Sequence, residues 1–174
     1  MIARAAAPAL ALLLGACAAA PKPQALPELS GVPSAFEMSG RLALRQGERS
    51  DIAKLHWTHR PGADLWVIAS PLGNVVARIE SGAQGATLTQ AGGEEVRAAS
   101  FSDLTERVLG IALDPATLAL WLHGSADSGA PSGWSVTVEE TQRAGTVDVA
   151  RRMSARRGDV SLRLVVDAYH PMAD

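Results

Sequence analysis

The four histidines are the side chains of this sequence best suited to bind a metal ion or to exchange a proton near neutral pH. His56 and His59 lie three positions apart in a segment of alternating apolar and polar residues. On a strand they would point to opposite faces and could not share an ion. His123 and His170 have no obvious acidic or cysteine companion. We therefore expect no metal site.

The serines and carboxylates offer no arrangement typical of an enzyme. The sequence contains no Gly-x-Ser-x-Gly motif, which would expose a nucleophilic serine on a sharp turn. Asp103 and Glu106 could act as paired carboxylates, but they fit the first turn of a helix, where the helix dipole favours negative charge. No glycine-rich phosphate loop is present. We expect a protein that is not an enzyme and uses neither a cofactor nor a nucleotide.

Cys17 is the only cysteine, and its surroundings predict covalent modification. It follows Arg4, an apolar run at residues 5–14 that is too short to span a bilayer, and the small residues Gly15 and Ala16. This pattern resembles a bacterial lipobox, in which the peptide is cut before an acylated cysteine. Residues 1–16 are thus predicted to be a signal peptide and Cys17 a lipidation site. The alternative is an ordinary signal peptide with an accidental cysteine.

Removal of the predicted signal peptide would leave 158 residues, the size of one domain, with 15 basic and 18 acidic groups. This balance lacks the basic excess of a nucleic-acid-binding protein. Residues 17–33 are rich in Ala and Pro and predict a linker between the lipid anchor and a domain at residues 34–174. Ala18 favours the outer membrane, because lipoproteins kept in the inner membrane usually carry Asp after the cysteine.

Strand-like alternation dominates the predicted domain. Apolar residues recur at every second position in residues 36–44, 52–59 and 160–166, and shorter strands are predicted at residues 146–149 and 152–155. Two helices are predicted, one capped by Ser102 or Asp103 and ended by Gly110, the other beginning at Asp114-Pro115 and ended by Gly124. We expect eight to ten antiparallel strands that curl into a partly closed barrel, with the helices over its opening.

The order of these segments resembles the LolB family of outer-membrane lipoprotein receptors. The first and last strands carry Ser39-Gly40-Arg41-Leu42-Ala43 and Leu162-Arg163-Leu164-Val165-Val166. Between them lie Trp57, Ser70-Pro71-Leu72-Gly73, Phe101, Leu118-Ala119-Leu120-Trp121-Leu122-His123-Gly124 and Gly133-Trp134. The chain departs from the family pattern at Ala168-Tyr169, where a Trp is usual, and around Val149-Ala150, where a proline is often found.

The resemblance implies a mainly β (α+β) fold, an unclosed antiparallel β-barrel with helices covering an apolar cavity. It also implies a function: a monomer, lipid-anchored in the outer membrane and facing the periplasm, would receive lipoproteins from the carrier LolA. It would shelter their acyl chains and insert them into the inner leaflet of outer-membrane phospholipid. A structural or scaffolding lipoprotein that transfers no lipid is the alternative.

Eight apolar residues are predicted to line the cavity, because the inner face of an alternating sheet can be wholly apolar. They are Leu42, Leu44, Leu55, Trp57, Val67, Leu118, Trp121 and Trp134. The alternative is that they fill a solid core. With only two Phe and one Tyr in the chain and many Ala, a barrel would be poorly filled, which favours a cavity.

Leu72 lies in a Pro-Leu-Gly-Asn turn, where a polar tip is expected. In the resembling family this loop protrudes and delivers a hydrophobic residue towards the membrane, so Leu72 is predicted to insert into lipid. Alternatively, it folds back onto the barrel. Arg151, Arg152, Arg156 and Arg157 form the one basic cluster, which suits either an acidic rim on the carrier or a solvated strand and turn.

Overall fold

A computed structural model describes residues 32–124 and 133–172 of the chain. The predicted signal peptide, Cys17 and nearly all of the predicted linker lie outside the described residues. The described part contains nine strands and two helices. The strands are β1 Phe36–Gln46, β2 Arg49–Arg60, β3 Ala63–Ala69, β4 Val75–Gly82, β5 Gly85–Gln90, β6 Glu95–Ala98, β7 Ser135–Ala144, β8 Val147–Arg157 and β9 Val160–Pro171; the helices are α1 Phe101–Leu109 and α2 Pro115–Leu122.

All nine strands form a single antiparallel sheet in the order β6-β5-β4-β3-β2-β1-β9-β8-β7. The pairing of β1 with β9 joins the two halves of the chain, and β6 and β7 are the free edges. Side chains from β1, β2, β3, β8 and β9 meet around one enclosed space, so the sheet is curled. The predicted unclosed antiparallel barrel is confirmed.

Gly40 permits the close approach of β1 and β9. The pairing of these strands shifts register between Ser39 and Gly40. A Cβ atom at Gly40 would collide with the backbone carbonyl oxygen of Val165 on β9. The missing side chain therefore allows the irregularity in the strand pair that connects the two halves of the sheet.

Both helices lie between β6 and β7 in the chain and begin at well-formed caps. Ser100 caps α1, since its Oγ accepts from the backbone N–H of Asp103 at 3.0 Å, and Gly110 ends it in the left-handed conformation. The prediction that Ser102 or Asp103 is the cap was wrong by two or three residues. Asp114 caps α2 as predicted, with Pro115 in the first turn, and His123, not Gly124, is its C-cap.

The two short strands predicted at residues 146–149 and 152–155 are one strand, β8. The alternation is interrupted because Val149 and Ala150 are both buried although they are consecutive. The pairing with β7 shifts register around Glu140, opposite this segment, as at a β-bulge. No described helix is long and apolar enough to cross a membrane.

Candidate functional site

A large cavity of about 520 Å³ lies under the part of the sheet formed by β1 to β5. Strands β1 to β5 contribute Leu42, Ala53, Trp66, Ile68, Ala77, Ile79 and Leu88, β9 contributes Leu162, and α1 with the segment after it contributes Leu104, Val108, Leu109 and Leu113. Its volume falls within the roughly 300–1,000 Å³ typical of small-molecule pockets. The interior of the sheet is therefore not solidly filled.

A second, smaller space of about 30 Å³ lies deeper, and we call it the inner void. Ten side chains from β1, β2, β3, β8, β9 and α2 line it, namely Leu42, Leu55, Trp57, Trp66, Leu118, Trp121, Met153, Ala155, Leu162 and Leu164. Leu42, Trp66 and Leu162 line both spaces. The inner void and the large cavity are thus neighbours separated by side chains.

Six of the eight residues predicted to line a cavity do so. Leu42 borders both spaces, Leu44 borders the large cavity, and the inner void is lined by Leu55, Trp57, Leu118 and Trp121.

Val67 and Trp134 line neither space. Residues 65–69 of β3 are all apolar, so their sequence does not distinguish the two faces of the strand. Trp66 and Ile68 point inward and Val67 points outward. Trp134 precedes β7 and packs against Trp121, with ring centroids 5.6 Å apart.

Sequence reasoning missed Trp66, Ile68 and the whole contribution of α1. Leu104 and Val108 are four residues apart on α1, a spacing that places them on one face of a helix. That signal was available, but it does not say which surface the face covers. Trp66 and Ile68 are two positions apart and therefore lie on the same face of β3, but the sequence does not show that this face points inward.

The loop between β3 and β4 stands at the edge of the large cavity. The Gly73 N–H donates to the carbonyl oxygen of Ser70, and the Ser70 N–H donates to the carbonyl oxygen of Asn74, both at 2.8 Å. Ser70 and Pro71 line the cavity, whereas the side chain of Leu72 is 90% exposed. Leu72 therefore does not fold back onto the barrel.

Leu72 belongs to a wider exposed apolar surface, which we call the mouth rim. Its members are five large apolar residues that are more than two-fifths exposed: Ile52, Leu72, Val75, Val76 and Val108. Three of them, Ile52, Val76 and Val108, also line the large cavity. Singly exposed apolar residues are ordinary, but a group around a cavity opening indicates a binding surface. Arg49 and Asp51, joined by an ion pair of 2.7 Å, supply charge at the same edge.

The opposite end of the barrel is closed by aromatic rings. Phe36 is fully buried, and its ring centroid lies 4.9 Å from that of Trp57, 5.0 Å from His59, 5.5 Å from His123 and 5.3 Å from Tyr169. We call this group the closed end. Asp64 supports it, accepting from Trp57 Nε1 at 2.8 Å and from His59 Nδ1 at 2.7 Å.

His123 ties the end of α2 to β9. Its Nδ1 donates to the Ala119 carbonyl oxygen at 2.6 Å, so Nε2 accepts from the Tyr169 hydroxyl at 2.7 Å. Burial lowers the pKa of His123 below its ordinary 6.5; the bond to Ala119 opposes this, and nearby His59 adds to it. Burial raises the pKa of the Tyr169 hydroxyl. Burial thus favours the neutral form of both groups, and in neutral His123 the nitrogen opposite the Nδ1 donor is an acceptor.

Within the part of the chain that the structure describes, the other groups considered from the sequence do not come together in a further site. No cluster of three or more metal-ligating side chains occurs among the described residues. His56 is exposed, whereas His59 is bonded to Asp64. The arginine cluster is not one open basic surface, because Arg152 forms an ion pair with Glu140 at 2.5 Å and Arg157 lies 5.1 Å from the centre of the Trp134 ring.

Comparison with known proteins shows to which family the chain belongs. The model of the family described as outer membrane lipoprotein LolB matches residues 34–169. This chain belongs to the LolB family. The match spans both helices, the loop that carries Leu72 and all strands except the last two residues of β9.

Relatives named outer-membrane lipoprotein LolB match over nearly their whole length. The one from Chromobacterium violaceum is 31% identical over 92% of this chain and 94% of its own. Those from Thiobacillus denitrificans and Azoarcus sp. are 30% and 28% identical over 92% and 90% of this chain, and over 93% and 89% of their own. The predicted location agrees with the name that these LolB proteins carry.

A solved structure supports the fold independently of sequence. A DUF1329 family protein from Desulfovibrio piger superposes with a TM-score of 0.54 at 7% identity, covering 80% of this chain and 86% of that one. At this identity the likeness concerns the fold alone. The LolB barrel is therefore an architecture that very different sequences adopt.

Proposed function

We propose that this chain is a lipoprotein receptor, anchored in the outer membrane through acylated Cys17 once residues 1–16 are removed. Residues 17–33 are the linker, and residues 34–174 form the domain that faces the periplasm. It receives lipoproteins from the periplasmic carrier LolA, holds their acyl chains in the large cavity and inserts them into the inner leaflet of the outer membrane. The protein acts as a monomer and catalyses no reaction.

The observation that carries this proposal is an apolar cavity of about 520 Å³ that opens beside an exposed leucine. Acyl chains are costly to expose to water, at about 0.8 kcal/mol per methylene group. Two or three chains therefore need a dry site at each stage of a passage through the periplasm. The large cavity, which opens at the mouth rim, provides such a site.

Transfer can proceed without a nucleotide if each successive host binds the acyl chains more tightly. A ligand shifts an equilibrium only by its difference in affinity for the two states, and a difference of about 1.4 kcal/mol is tenfold. The bilayer is the final host and offers the largest apolar volume. The direction of transfer then follows from binding free energies alone.

Leu72 is proposed to start the last step by entering the bilayer. Burying a leucine side chain gains roughly 1.5–3 kcal/mol, which suffices to bring the mouth to the membrane but not to hold it there permanently. Because Ser70 and Pro71 line the cavity, insertion of Leu72 would place the cavity opening against lipid. The acyl chains could then leave without crossing water.

Leu72→Glu tests this role. We expect the variant to fold and to accept a lipoprotein from the carrier, and to deliver it to liposomes at least tenfold more slowly, since a carboxylate resists entry into lipid. Carrier-to-receptor transfer and receptor-to-liposome transfer are measured separately with one labelled lipoprotein. Leu72→Met is the matched control, because it keeps an apolar side chain of similar volume.

Normal delivery by Leu72→Glu would refute the assignment of Leu72 and leave the cavity unaffected. The proposed function as a whole would be contradicted if the purified protein carried no acyl chains. Purification of the chain with Cys17→Ala, followed by mass spectrometry of extracted lipid, checks this directly. A scaffolding lipoprotein would carry no acyl chain, whereas a receptor would retain some.

A further inference from the structure

Two tryptophans that line the inner void carry buried indole N–H groups without a hydrogen-bond partner. Trp66 on β3 is 5% exposed and Trp121 on α2 is 1% exposed, and neither Nε1 atom has an acceptor. Trp57, whose ring also lines the void, instead donates to Asp64 at 2.8 Å. Gln142 Nε2 is the only other such side-chain atom among the described residues, and Gln142 does not line the void.

Buried donors normally have acceptors, because an unpaired polar group loses its bonds to water and gains nothing in return. The other eight residues that line the inner void are Leu, Ala, Met and Trp, and their only side-chain acceptor is the thioether sulfur of Met153, which is a weak one. An indole is a donor only. A guest that enters the inner void can bring the acceptor that these two donors lack.

We propose that Trp66 and Trp121 donate hydrogen bonds to the carbonyl oxygen of a bound acyl ester or amide. This inference rests on the proposed function and names the part of the cargo lipid that the site recognises. A carbonyl oxygen has two lone pairs and can accept from two donors. The two indoles come from different walls, one from the sheet and one from α2, so one oxygen between them would bridge the walls.

The surroundings select an ester or amide over a free fatty acid. No charged side chain lines the inner void, so a carboxylate there would be buried without a counterion. The neighbouring large cavity suits the hydrocarbon part of the bound acyl group. Leu42, Trp66 and Leu162 border both spaces, so a carbonyl held at the indoles could place its methylene groups in the large cavity.

Three probes test this in the mature chain from residue 17, with Cys17→Ala to prevent acylation. Methyl laurate carries an ester, sodium laurate carries a carboxylate, and tridecane carries neither. The chain has four tryptophans, so a proton–nitrogen correlation spectrum shows four indole N–H signals, which single Trp→Phe variants assign. We expect methyl laurate to move the Trp66 and Trp121 signals downfield, as hydrogen bonding does, and tridecane to leave them nearly in place.

Affinity supplies the second readout. Trp66→Phe and Trp121→Phe keep an aromatic ring and remove the donor, and each is expected to reduce the preference for methyl laurate over tridecane about fivefold. Trp134→Phe is the matched control, because Trp134 packs on Trp121 but lines neither space. It should leave the preference unchanged. Sodium laurate is expected to bind more weakly than methyl laurate.

The outcomes separate this inference from the proposed function. If all probes bind with no preference for the ester, or if ester and alkane move the same signals equally, the indoles only pack and the inference is overturned while the cavity stands. The same follows if the unliganded protein already shows both indoles bonded to a trapped water. If no probe binds the chain, the proposed function itself fails.

Discussion

The two ends of the barrel are built from the same sheet but use apolar residues differently. At the closed end, Phe36 is fully buried among four rings, and His59 Nδ1 and both ring nitrogens of His123 are hydrogen-bonded. At the mouth rim, five large apolar side chains are exposed around a cavity that no side chain fills. Packing at the closed end therefore contributes stability that the mouth rim does not contribute.

Strand β1 shows this division within one element. It begins with Phe36 in the closed end and reaches Leu44, which is half-buried at the large cavity, eight residues later. A residue at the closed end contributes by filling space, whereas a residue at the mouth keeps space open for a guest. Binding sites commonly reduce stability in this way. Three changes can break or sharpen the contrast.

Phe36→Ala should give the largest loss of stability. Truncation of a buried phenylalanine typically costs about 3–5 kcal/mol, because a cavity remains among the surrounding rings. Leu44→Ala is the comparison on the same strand. It is expected to cost about 1 kcal/mol, since Leu44 is half-buried and already borders a cavity. Denaturant unfolding of both variants measures the difference, and equal losses would contradict the division.

Acid should weaken the closed end more than the mouth. The folded pKa of His123 is lowered, so the unfolded chain binds a proton at higher pH than the folded one does. Stability from this group is thus fully present above about pH 6.5 and is lost as the pH falls towards the folded pKa. We expect His123→Gln to flatten the fall in melting temperature between about pH 7 and pH 5.

His170→Gln provides the control for that measurement. His170 lies on β9 next to Tyr169 in sequence, but its side chain is exposed. Its replacement should leave the pH dependence almost unchanged. A pH profile that flattens equally in both variants, or in neither, would show that burial of His123 does not set the acid sensitivity.

The sequence predicts most of this barrel because alternation is read from neighbouring residues alone. Leu55 and Trp57 were assigned to the inner face correctly, since polar residues separate them. Val67 was misplaced because β3 offers no such contrast, and β8 was divided because a register shift breaks the period at Val149 and Ala150. Local sequence patterns do not show which face of a uniformly apolar strand points inward or where the register between two strands shifts.

The site was harder to predict than the fold for a related reason. The turn that carries Leu72 is evident from local residues, but the unpaired indoles of Trp66 and Trp121 are not, because a missing partner is a property of the whole surroundings. The Tyr169 bond to His123 spans 46 positions.

The last change should leave stability nearly untouched while reducing the space for a guest. Ala77 on β4 lines the large cavity, so Ala77→Leu would extend a side chain into open volume instead of packed atoms. We expect a free energy of unfolding within about 0.5 kcal/mol of the parent and affinity for methyl laurate lowered about tenfold. Ala43→Leu is the control, because Ala43 lies on β1 outside the cavity lining. If Ala77→Leu instead destabilised the protein and left binding intact, the mouth would be a loosely packed core, and the contrast between the two ends would lose its functional meaning.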